Sequence, residues 1–448
     1  MPVDARARPG LDLADLPPAD ELGAQMHALL AELFPIHRSI TGEGLRRTAA
    51  VLSRDLPLEV VETPSGTQLF DWVVPREWNL REAWLAAPDG RRVADTARSS
   101  LHVLAYSVPT RERLRLDALR PHLFSLPDQP DLIPFRTSYH DDNWGFCLEH
   151  RVLESLPEGE YEAVVDATLE PGSMTSAELT IPGASDREIL LTGYWCHPSL
   201  ANDNLSGVVL LATLARLLLG RPLHYTYRFL WSPGTLGPLA WLERNRDRLD
   251  RVDGGIVAAC VGDAGPLTYK RSRQGTSRLD RAVERALSDG GHPHSVRDFV
   301  PWGGDERQFC SPGFDLPVGC LMRTPNMEYP EYHTSADDLE LVRPAQLAGS
   351  LRAYLDAIDV LETDVVYRST SPHGEPQLGK RGLYRAISAG APRPEEVGAR
   401  AIQWVLNLAD GRHSLLDMAD RSGVPFAALR EAAWKLADAG LLVEEEAA

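Results

Sequence analysis

The 448-residue chain is poor in lysine, which we attribute to codon bias, and has few cysteines, which indicate its redox state. Arginine supplies nearly all of the 46 basic residues, and these stand against 64 acidic ones, so the formal net charge is −18 at pH 7. Because no long basic run is present to neutralise a phosphate backbone, we do not expect nucleic acid as a partner. The five cysteines are odd in number and lack CxxC spacing, which indicates a reduced protein.

Long apolar segments are also missing. The longest run, from Val208 to Leu219, is interrupted by two polar residues and is shorter than the roughly 18 residues that a membrane span needs. The first residues, MPVDARARPGLDLADLPP, contain no apolar signal segment. We therefore expect a cytoplasmic protein with no membrane partner.

Changes in sequence pattern divide the chain into segments. Apolar residues at helical spacing predict two helices within residues 21–56. Short β-like runs such as LHVLAYSV, separated by proline-rich turns, predict a small inserted β-rich domain over residues 62–152. Strands then alternate with helices, which favours an α/β domain with a mixed sheet and helices on both faces. We assign residues 21–61 and 153–363 to this domain.

The C-terminal part has a different composition. Residues 364–392 are rich in Gly, Ser and Pro and are predicted to form a linker. Residues 393–448 contain three short amphipathic helices followed by LLVEEE, a pattern typical of a winged helix. Because this segment carries six basic against ten acidic side chains, we expect it to pack within the protein or bind a protein partner rather than DNA.

Side chains of the types that bind metals occur in four loops that follow predicted strands. Ligand sites in such sheets lie at the carboxyl ends of strands, so we expect these side chains to converge. Imidazole and carboxylate are the ligands of hydrolytic zinc sites. The segments are CHPSLANDNLSG, AACVGDAG, PWGGDERQF and EYPEYHTSADDL, and the side chains are His197, Asp203, Asp263, Asp305, Glu306 and His333.

Each of these residues also has an ordinary structural interpretation. A single histidine beside a proline, as His197 is, often serves only as a structural hydrogen-bonding residue. Asp203 is a suitable N-cap for the helix that follows, and Asp263 before Ala-Gly is typical of a turn. The metal-site hypothesis therefore depends on the coincidence of four segments rather than on any single residue.

The motifs as a set resemble a known family. CHPSLANDNLSG before an apolar helix, Gly-Asp at a later strand exit and HTSADDL resemble the co-catalytic zinc aminopeptidases, the superfamily that includes bacterial leucyl aminopeptidase and glutaminyl cyclase. DWVVPREWNLREAW, TSYHDDNWGFCL and GGDERQFCSPGFDLPVGCLMRTP further resemble bacterial aminopeptidase-like proteins with an inserted β-rich domain and a C-terminal winged helix. The resemblance covers about residues 21–444 and implies a zinc-aminopeptidase-like α/β fold.

The resemblance also implies a ligand set. His197, Asp203 and Asp263 would form one metal position, and Asp203 would bridge toward a second position completed by His333. Asp305 would orient a ligand or the substrate. We expect one tightly bound Zn²⁺ per chain, because the second position keeps fewer protein ligands than a catalytic zinc ion usually has.

Two departures from the family pattern concern the reaction. The family places two glutamates after the strand corresponding to YTYRFLWSP, one as general base and one as metal ligand, whereas this chain has SPGTLGPLAWL there. Gly234 occupies the place of a glutamate, and Ser199 replaces an orienting carboxylate. We expect Glu306 to supply the base, with Glu328 and Glu331 as alternatives.

Two functions are compatible with these residues. The first is a zinc-dependent hydrolase of an aminoacyl or N-acyl amide bond in a small molecule or short peptide. The second is a non-hydrolytic aminopeptidase-like protein that binds an amino compound or transfers an acyl group, because the usual glutamates are absent. The retained histidines and aspartates favour the first function. A homo-oligomer is compatible with either.

Overall fold

The computed structural model describes residues 10–11, 15–139, 141–383 and 396–445. None of the helices in these ranges is both long and apolar enough to cross a lipid bilayer. The helices are α1 (Ala19–Leu33), α2 (Glu43–Leu52), α3 (Leu116–Leu119), α4 (His150–Glu154), α5 (Ser206–Leu218), α6 (Leu236–Arg244), α7 (Arg278–Asp289), α8 (Glu306–Phe309), α9 (Pro344–Thr363), α10 (Glu396–Leu408), α11 (Leu415–Ser422) and α12 (Phe426–Asp438). The strands are β1 (Glu59–Pro64), β2 (Gln68–Leu69), β3 (Trp72–Val73), β4 (Glu77–Ala86), β5 (Arg92–Asp95), β6 (Thr110–Arg115), β7 (Leu123–Phe124), β8 (Phe146–Cys147), β9 (Glu160–Glu170), β10 (Ser173–Ile181), β11 (Glu188–Tyr194), β12 (Thr226–Ser232), β13 (Val252–Ala258), β14 (Leu267–Lys270), β15 (His294–Arg297), β16 (Val318–Met322), β17 (Val366–Ser369), β18 (Asp410–Ser414) and β19 (Leu442–Glu445).

An eight-stranded mixed sheet lies in the larger compact unit, Leu16–Ser277 with His294–Arg352, and has the strand order β1-β10-β12-β11-β13-β16-β14-β15. β12, β11, β13 and β16 run parallel to one another, whereas β10 and β14 pair antiparallel with their neighbours β12 and β16. β11 is buried along its whole length and α5 on nearly every residue, which explains their continuous apolar sequences. Because the four parallel strands share one direction, the loops that follow them meet at one edge of the sheet. The predicted mixed α/β sheet is therefore confirmed.

The turn between β11 and α5 is fixed against the end of β13. A Cβ atom on Gly207 would lie 2.4 Å from the carbonyl oxygen of Ala258, so only glycine allows this approach. The Asn204 side chain donates to the same carbonyl at 2.8 Å and accepts from the backbone N–H of Cys260 at 3.1 Å. Asp203, the neighbour of Asn204, is thereby held at the carboxyl edge of the sheet.

A four-stranded antiparallel sheet with the order β5-β4-β9-β6 forms the β-rich region. Its strand β9 pairs with β6 over residues 160–165 and continues to Glu170 because it also pairs with β4. At the other end, β1 pairs with β10 at the edge of the central sheet. The predicted boundaries 62 and 152 therefore do not coincide with those of this sheet, since backbone pairing rather than sequence composition sets them.

The second compact unit contains α7 and the C-terminal helices α10, α11 and α12. A small sheet with the order β18-β17-β19 accompanies these three helices, as expected for a winged helix. Its central strand β17 lies in the stretch predicted to be a linker, and it is ordered because β18 and β19 both pair with it. The rest of the predicted linker from residue 384 onward, and residues 393–395 and 446–448 of the predicted winged helix, lie outside the described residues.

Candidate metal centre

Three side chains that could hold a metal ion meet at the carboxyl edge of the central sheet. Among the described residues, one such group of histidine and acidic side chains occurs, and it consists of His197, Asp203 and His333. One ligand atom of each residue lies within 4.8 Å of the others. Nε2 of His333 is 2.9 Å from Oδ2 of Asp203, and Nε2 of His197 is 3.9 Å from the same oxygen. The structure therefore brings together three of the four side chains that the sequence suggests as ligands.

Two atoms of this group are enclosed and have no hydrogen-bond partner. They are Oδ2 of Asp203 and Nε2 of His333, and the nearest group to each of them is the other. Buried polar atoms are normally paired, so two unpaired ligand atoms at this separation fit a cation that both would bind. Two imidazole nitrogens and a carboxylate oxygen are also a chemically suitable donor set for zinc. The residues present therefore fit a zinc ion.

The charges around Asp203 favour the protonation states that bind metal. Burial alone would raise the pKa of Asp203, but His197, His333 and the Tyr194 hydroxyl lower it to about 2. Burial lowers the pKa of His197 to about 4, although Asp203 opposes this effect. At neutral pH an ionised carboxylate therefore lies beside the neutral imidazole of His197, which are the forms that coordinate metal ions.

Asp337 and Tyr194 hold Asp203 in place. The Asp337 carboxylate accepts hydrogen bonds from the backbone N–H groups of Asn202 at 2.5 Å and Asp203 at 3.0 Å. The Tyr194 hydroxyl donates to Oδ1 of Asp203, which leaves Oδ2 available. Sequence reasoning missed both residues. The signal for them was their position, because Asp337 belongs to the HTSADDL motif and Tyr194 ends the strand before the histidine loop.

Residues 133–135, in the connection between β7 and β8, reach the site. The Phe135 ring centre lies 5.1 Å from the ring centres of both His197 and His333. The backbone N–H of Phe135 donates to the His333 carbonyl at 2.8 Å, and that of Ser335 donates to the Ile133 carbonyl at 2.9 Å. This main-chain pairing holds the His333 loop, so that an apolar ring packs against both candidate metal ligands.

Asp263 lies outside this group, contrary to the ligand set that the resemblance implies. Its Oδ1 accepts hydrogen bonds from the Gly265 N–H at 2.7 Å and the Thr324 hydroxyl at 2.6 Å. Its Oδ2 accepts from the Asn202 side chain at 3.1 Å and the Thr324 N–H at 3.2 Å. Both oxygens are thus used to join loops. These contacts agree with the alternative interpretation of Asp263 as a turn residue.

Cys260 is the side chain after β13 that does approach Asp203. Its Sγ lies 3.9 Å from Oδ1 of Asp203 and 3.7 Å from the Tyr329 hydroxyl. Burial raises the pKa of the Cys260 thiol well above its usual value. The thiol is therefore a neutral neighbour of Asp203 at neutral pH.

Asp305 lies beside the turn in which Gly234 stands in place of the family's glutamate. Its Oδ1 accepts from the Thr235 N–H at 2.7 Å and is 3.7 Å from the point that a Cβ on Gly234 would occupy. Its Oδ2 is enclosed and has no hydrogen-bond partner. Burial raises the pKa of Asp305 to about 7, although the Thr235 N–H opposes this. A carboxyl group with a pKa near neutrality is suited to accept and return a proton.

Glu306, the residue predicted to be the general base, is engaged elsewhere. It is fully buried and forms an ion pair with Nζ of Lys270. That ammonium group also donates to the Trp302 carbonyl at 2.7 Å. The charge of Glu306 is therefore already balanced by Lys270, which does not favour the predicted role of general base. The alternative Glu328 forms an ion pair with Arg297 at the protein surface.

Comparisons with known proteins agree with this fold. A family model described as "Domain of unknown function (DUF4910)" matches residues 27–364, and a winged helix-turn-helix model matches residues 365–444. A Clostridium acetobutylicum protein named "Putative polysaccharide biosynthesis protein with aminopeptidase-like domain" is 46% identical over 415 residues, which cover 93% of this chain and 95% of the relative. A crystal structure of a "putative peptidase" from Clostridium acetobutylicum is 44% identical with a TM-score of 0.90, over 95% of this chain and 97% of the other.

A more distant structural likeness concerns the fold alone. A zinc aminopeptidase from Bacillus subtilis is 14% identical to this chain with a TM-score of 0.55, and the match covers 76% of this chain and 93% of the enzyme. Together with the winged helix-turn-helix match, this likeness confirms the predicted architecture, an aminopeptidase-like α/β fold followed by a winged helix.

Proposed function

The chain belongs to the family described as Domain of unknown function (DUF4910), and from this premise we propose that it is a zinc-dependent hydrolase of an aminoacyl or N-acyl amide bond in a small molecule or short peptide. The observation that carries the proposal is the convergence of His197, Asp203 and His333, with two enclosed ligand atoms left unpartnered. Three protein ligands of these types are the usual number in a catalytic zinc site.

His197, Asp203 and His333 would hold the zinc ion, which supplies a Lewis acid for the amide carbonyl when it is bound. In hydrolysis, the oxygen of a water molecule adds to the carbonyl carbon, the C–N bond breaks and a proton from the water passes to the leaving nitrogen. We assign the proton transfer to Asp305. Its Oδ2 is unpartnered, and its pKa near neutrality suits both the acceptance and the return of a proton.

Two observations support a small substrate with an amide bond. The Phe135 ring packs against both histidines and limits the space beside them, which favours a small acyl or aminoacyl group over a folded protein chain. The Clostridium acetobutylicum relative carries polysaccharide biosynthesis in its name. N-acylated amino sugars therefore join aminoacyl compounds as candidate substrates.

A non-hydrolytic role is the second candidate, and Gly234 is the observation that favours it. The position where zinc aminopeptidases carry a glutamate has no side chain here, and Glu306 is neutralised by Lys270. In this second role the site would bind an amino compound or transfer an acyl group. Oδ2 of Asp305 would then accept a hydrogen bond from the amino group of the ligand.

The test is an assay of protein purified without chelator, with aminoacyl anilides and N-acetylated amino sugars, in the presence and absence of added Zn²⁺. We expect zinc-dependent release of amine that His197→Ala and Asp203→Asn abolish. His413→Ala, which removes a surface histidine paired with Asp410, is the matched control and should keep the activity. Ligand binding without cleavage at full zinc occupancy would favour the second function. A protein that binds no zinc, with no turnover after zinc is added, would contradict the proposal.

A further inference from the structure

Arg38 is a buried cation beside the candidate metal centre, and no carboxylate of the described chain pairs with it. The residue is 1% exposed, and its Nη2 is enclosed without a hydrogen-bond partner. Arginine is rarely buried in this way, because removing a charge from water without an ion pair is unfavourable. A buried group of this kind calls for an explanation, and the contacts of Arg38 provide one.

The guanidinium group bridges two main-chain carbonyls. Its Nε donates to the carbonyl oxygen of His197 at 3.1 Å, and its Nη1 donates to that of Leu33 at 2.7 Å. Leu33 is the last residue of α1, so the bridge joins the end of this helix to the loop that carries His197. A planar guanidinium has donors at fixed angles and can serve both carbonyls at once, whereas the ammonium of lysine is a single point charge.

Ser199 makes a second connection between the same segments. Its hydroxyl donates to the Phe34 carbonyl at 3.1 Å and accepts from the Ser100 hydroxyl at 2.7 Å. Ser199 has a φ of 42°, in the left-handed region that non-glycine residues adopt only when their surroundings hold them there. The backbone after His197 is therefore kept in an unfavourable conformation by its contacts with the end of α1.

Within the described residues, the His197 ring has a thiol rather than an oxygen beside its second nitrogen. A histidine that binds metal normally donates its other ring N–H to a carboxylate, a carbonyl or water. Here Nδ1 of His197 lies 3.7 Å from the Cys196 thiol, a weak hydrogen-bonding partner, and Ser199 stands where the resemblance places an orienting carboxylate. Besides this thiol and the packing of the Phe135 ring, the position of the backbone sets the orientation of the imidazole.

We propose that Arg38 is a positioning residue, which fixes the His197 carbonyl against the end of α1 and so sets the backbone from which the imidazole reaches the metal. This inference rests on the proposed function, since it requires that His197 binds the ion. Replacing residues that orient a metal ligand typically weakens metal affinity by about 10- to 100-fold. Arg38 should act on affinity in this way without touching the ion.

The experiment measures the Kd of Zn²⁺ by competition with a fluorescent chelator, using the full-length chain. Arg38→Met should raise the Kd by about 10- to 100-fold. Arg38→Lys should give an intermediate value, because it keeps the charge but not the double bridge. Arg54→Met is the matched control, since Arg54 is exposed and pairs with Glu32, and it should keep the wild-type Kd. The absorption spectrum of bound Co²⁺, which reports ligand geometry, should change in Arg38→Met and not in the control.

The melting temperature of chelator-treated protein separates positioning from general stability. If the Arg38 variants melt at a lower temperature yet keep the wild-type Kd and Co²⁺ spectrum, Arg38 is a structural residue and the inference is wrong. Should Arg38→Met fail to fold, Ser199→Ala removes the second connection and must itself raise the Kd, so a wild-type value there also contradicts the inference. If the wild type binds neither Zn²⁺ nor Co²⁺, the proposed function fails and the inference fails with it. If the wild type binds zinc and the variants keep its Kd and its Co²⁺ spectrum, the inference is wrong and the proposed function is unaffected.

Discussion

At the scale of single residues, Asp305 and Glu306 are neighbours in sequence but lie in different electrostatic surroundings. Glu306 is balanced by the Lys270 ammonium group. Asp305 accepts one backbone N–H, from Thr235, and keeps an enclosed oxygen without a partner. The motif GGDERQ contains both carboxylates and gives no indication of which one has a counter-ion, because that counter-ion comes from β14. For this reason we propose Asp305 rather than Glu306 for the proton transfer.

Asp305→Asn should stabilise the chelator-treated protein at about pH 8.5 more than at about pH 5.5. Burial raises the folded pKa of Asp305 from 3.8 to about 7. The stability that this group contributes is thus fully present below its unfolded pKa and is lost as the pH rises through about 7. Asparagine stays neutral and still accepts the Thr235 N–H. At about 1.4 kcal/mol per pKa unit the full effect of the shift is about 4 kcal/mol, and roughly half of it is already present at about pH 5.5, which lies above the unfolded pKa. The difference between the two pH values is therefore at most about 2 kcal/mol, and relaxation should reduce it to about 1 kcal/mol.

Urea unfolding of the wild type and the variant at the two pH values measures this difference. The double comparison cancels the effects of other titrating groups, because both proteins contain them. An effect of the substitution that does not change with pH would contradict the raised pKa, and with it the reason for assigning the proton transfer to Asp305.

Gly234→Glu should add a metal ligand. A Cβ atom at this position would meet no atom closer than 3.7 Å, and Asp305 and Cys196 border the space into which the side chain would extend. We expect a larger amount of zinc to be retained after dialysis, as measured by elemental analysis. Gly234→Ala is the matched control, because it adds a methyl group without a carboxylate and should retain the wild-type amount. Equal zinc contents in the two variants would show that the glutamate does not face the metal.

At the scale of elements, the sequence predicts best those elements whose burial is uniform. β11 and α5 are continuous apolar runs because they are buried on nearly every residue, so both could be recognised from the sequence. The limits of the β-rich region could not be predicted. The sequence of β9 is compatible with either sheet, and its pairing with β4 and β6 decides to which sheet it belongs. β17 was missed for the same reason, because its partners β18 and β19 come later in the chain.

The residues of the candidate site could be predicted from the sequence to a similar extent. His197, Asp203 and His333 lie in motifs with a distinctive spacing, and the edge of the sheet that joins them follows from the direction of the parallel strands. Asp263 was assigned from its position at a strand exit. The loop after β13 instead places its carboxylate against Gly265 and Thr324. The direction of a side chain in a loop depends on backbone angles that cannot be predicted from the sequence.

Helix α12 of the winged helix has its N-terminus and its Arg430 side chain engaged within its own unit. The backbone N–H of Phe426, at the start of α12, donates to Asp289 of α7 at 2.7 Å. Arg430 forms an ion pair with Asp359 of α9, and its guanidinium lies 5.0 Å from the Trp434 ring centre. A helix that reads DNA needs its N-terminal residues and its basic side chains free for the groove and the phosphates.

We therefore expect the full-length chain to show no binding to duplex DNA. Fluorescence anisotropy with a labelled duplex at low salt is the measurement, because electrostatic binding is strongest there. Affinity that falls linearly with salt concentration on logarithmic axes would contradict this expectation, since it would show that counterions are released from phosphates. The acidic net charge of the chain is consistent with the expected result.

At the scale of the whole molecule, the candidate site unites segments that are far apart in sequence. The end of α1 and Arg38 hold the His197 loop, residues 133–135 pair with the His333 loop, and Asp337 fixes Asp203. All of these segments lie in the compact unit Leu16–Ser277 with His294–Arg352. A metal ion bound by them would connect the central sheet, the segment between β7 and β8 and the N-terminal helix. Metal binding should therefore be coupled to the stability of this unit.

The number of metal ions follows from which side chains remain available. His197, Asp203 and His333 suit one ion. The side chains that would complete a second position are otherwise engaged or missing. Asp263 joins loops through both of its oxygens, and Gly234 contributes no side chain.

Zinc should therefore bind at one equivalent per chain and stabilise the protein. An ion that binds only the folded state adds about 2.7 kcal/mol when its free concentration is 100 times its Kd, which corresponds to a rise of a few degrees in melting temperature. Chelator should reverse the rise, and His333→Ala should lose both the retained zinc and the thermal shift, whereas His413→Ala should keep both. Elemental analysis after dialysis and calorimetry measure these outcomes. Two equivalents retained against a mild chelator would show that another side chain completes a second position, and Asp305→Asn would then test the carboxylate nearest to the Gly234 turn.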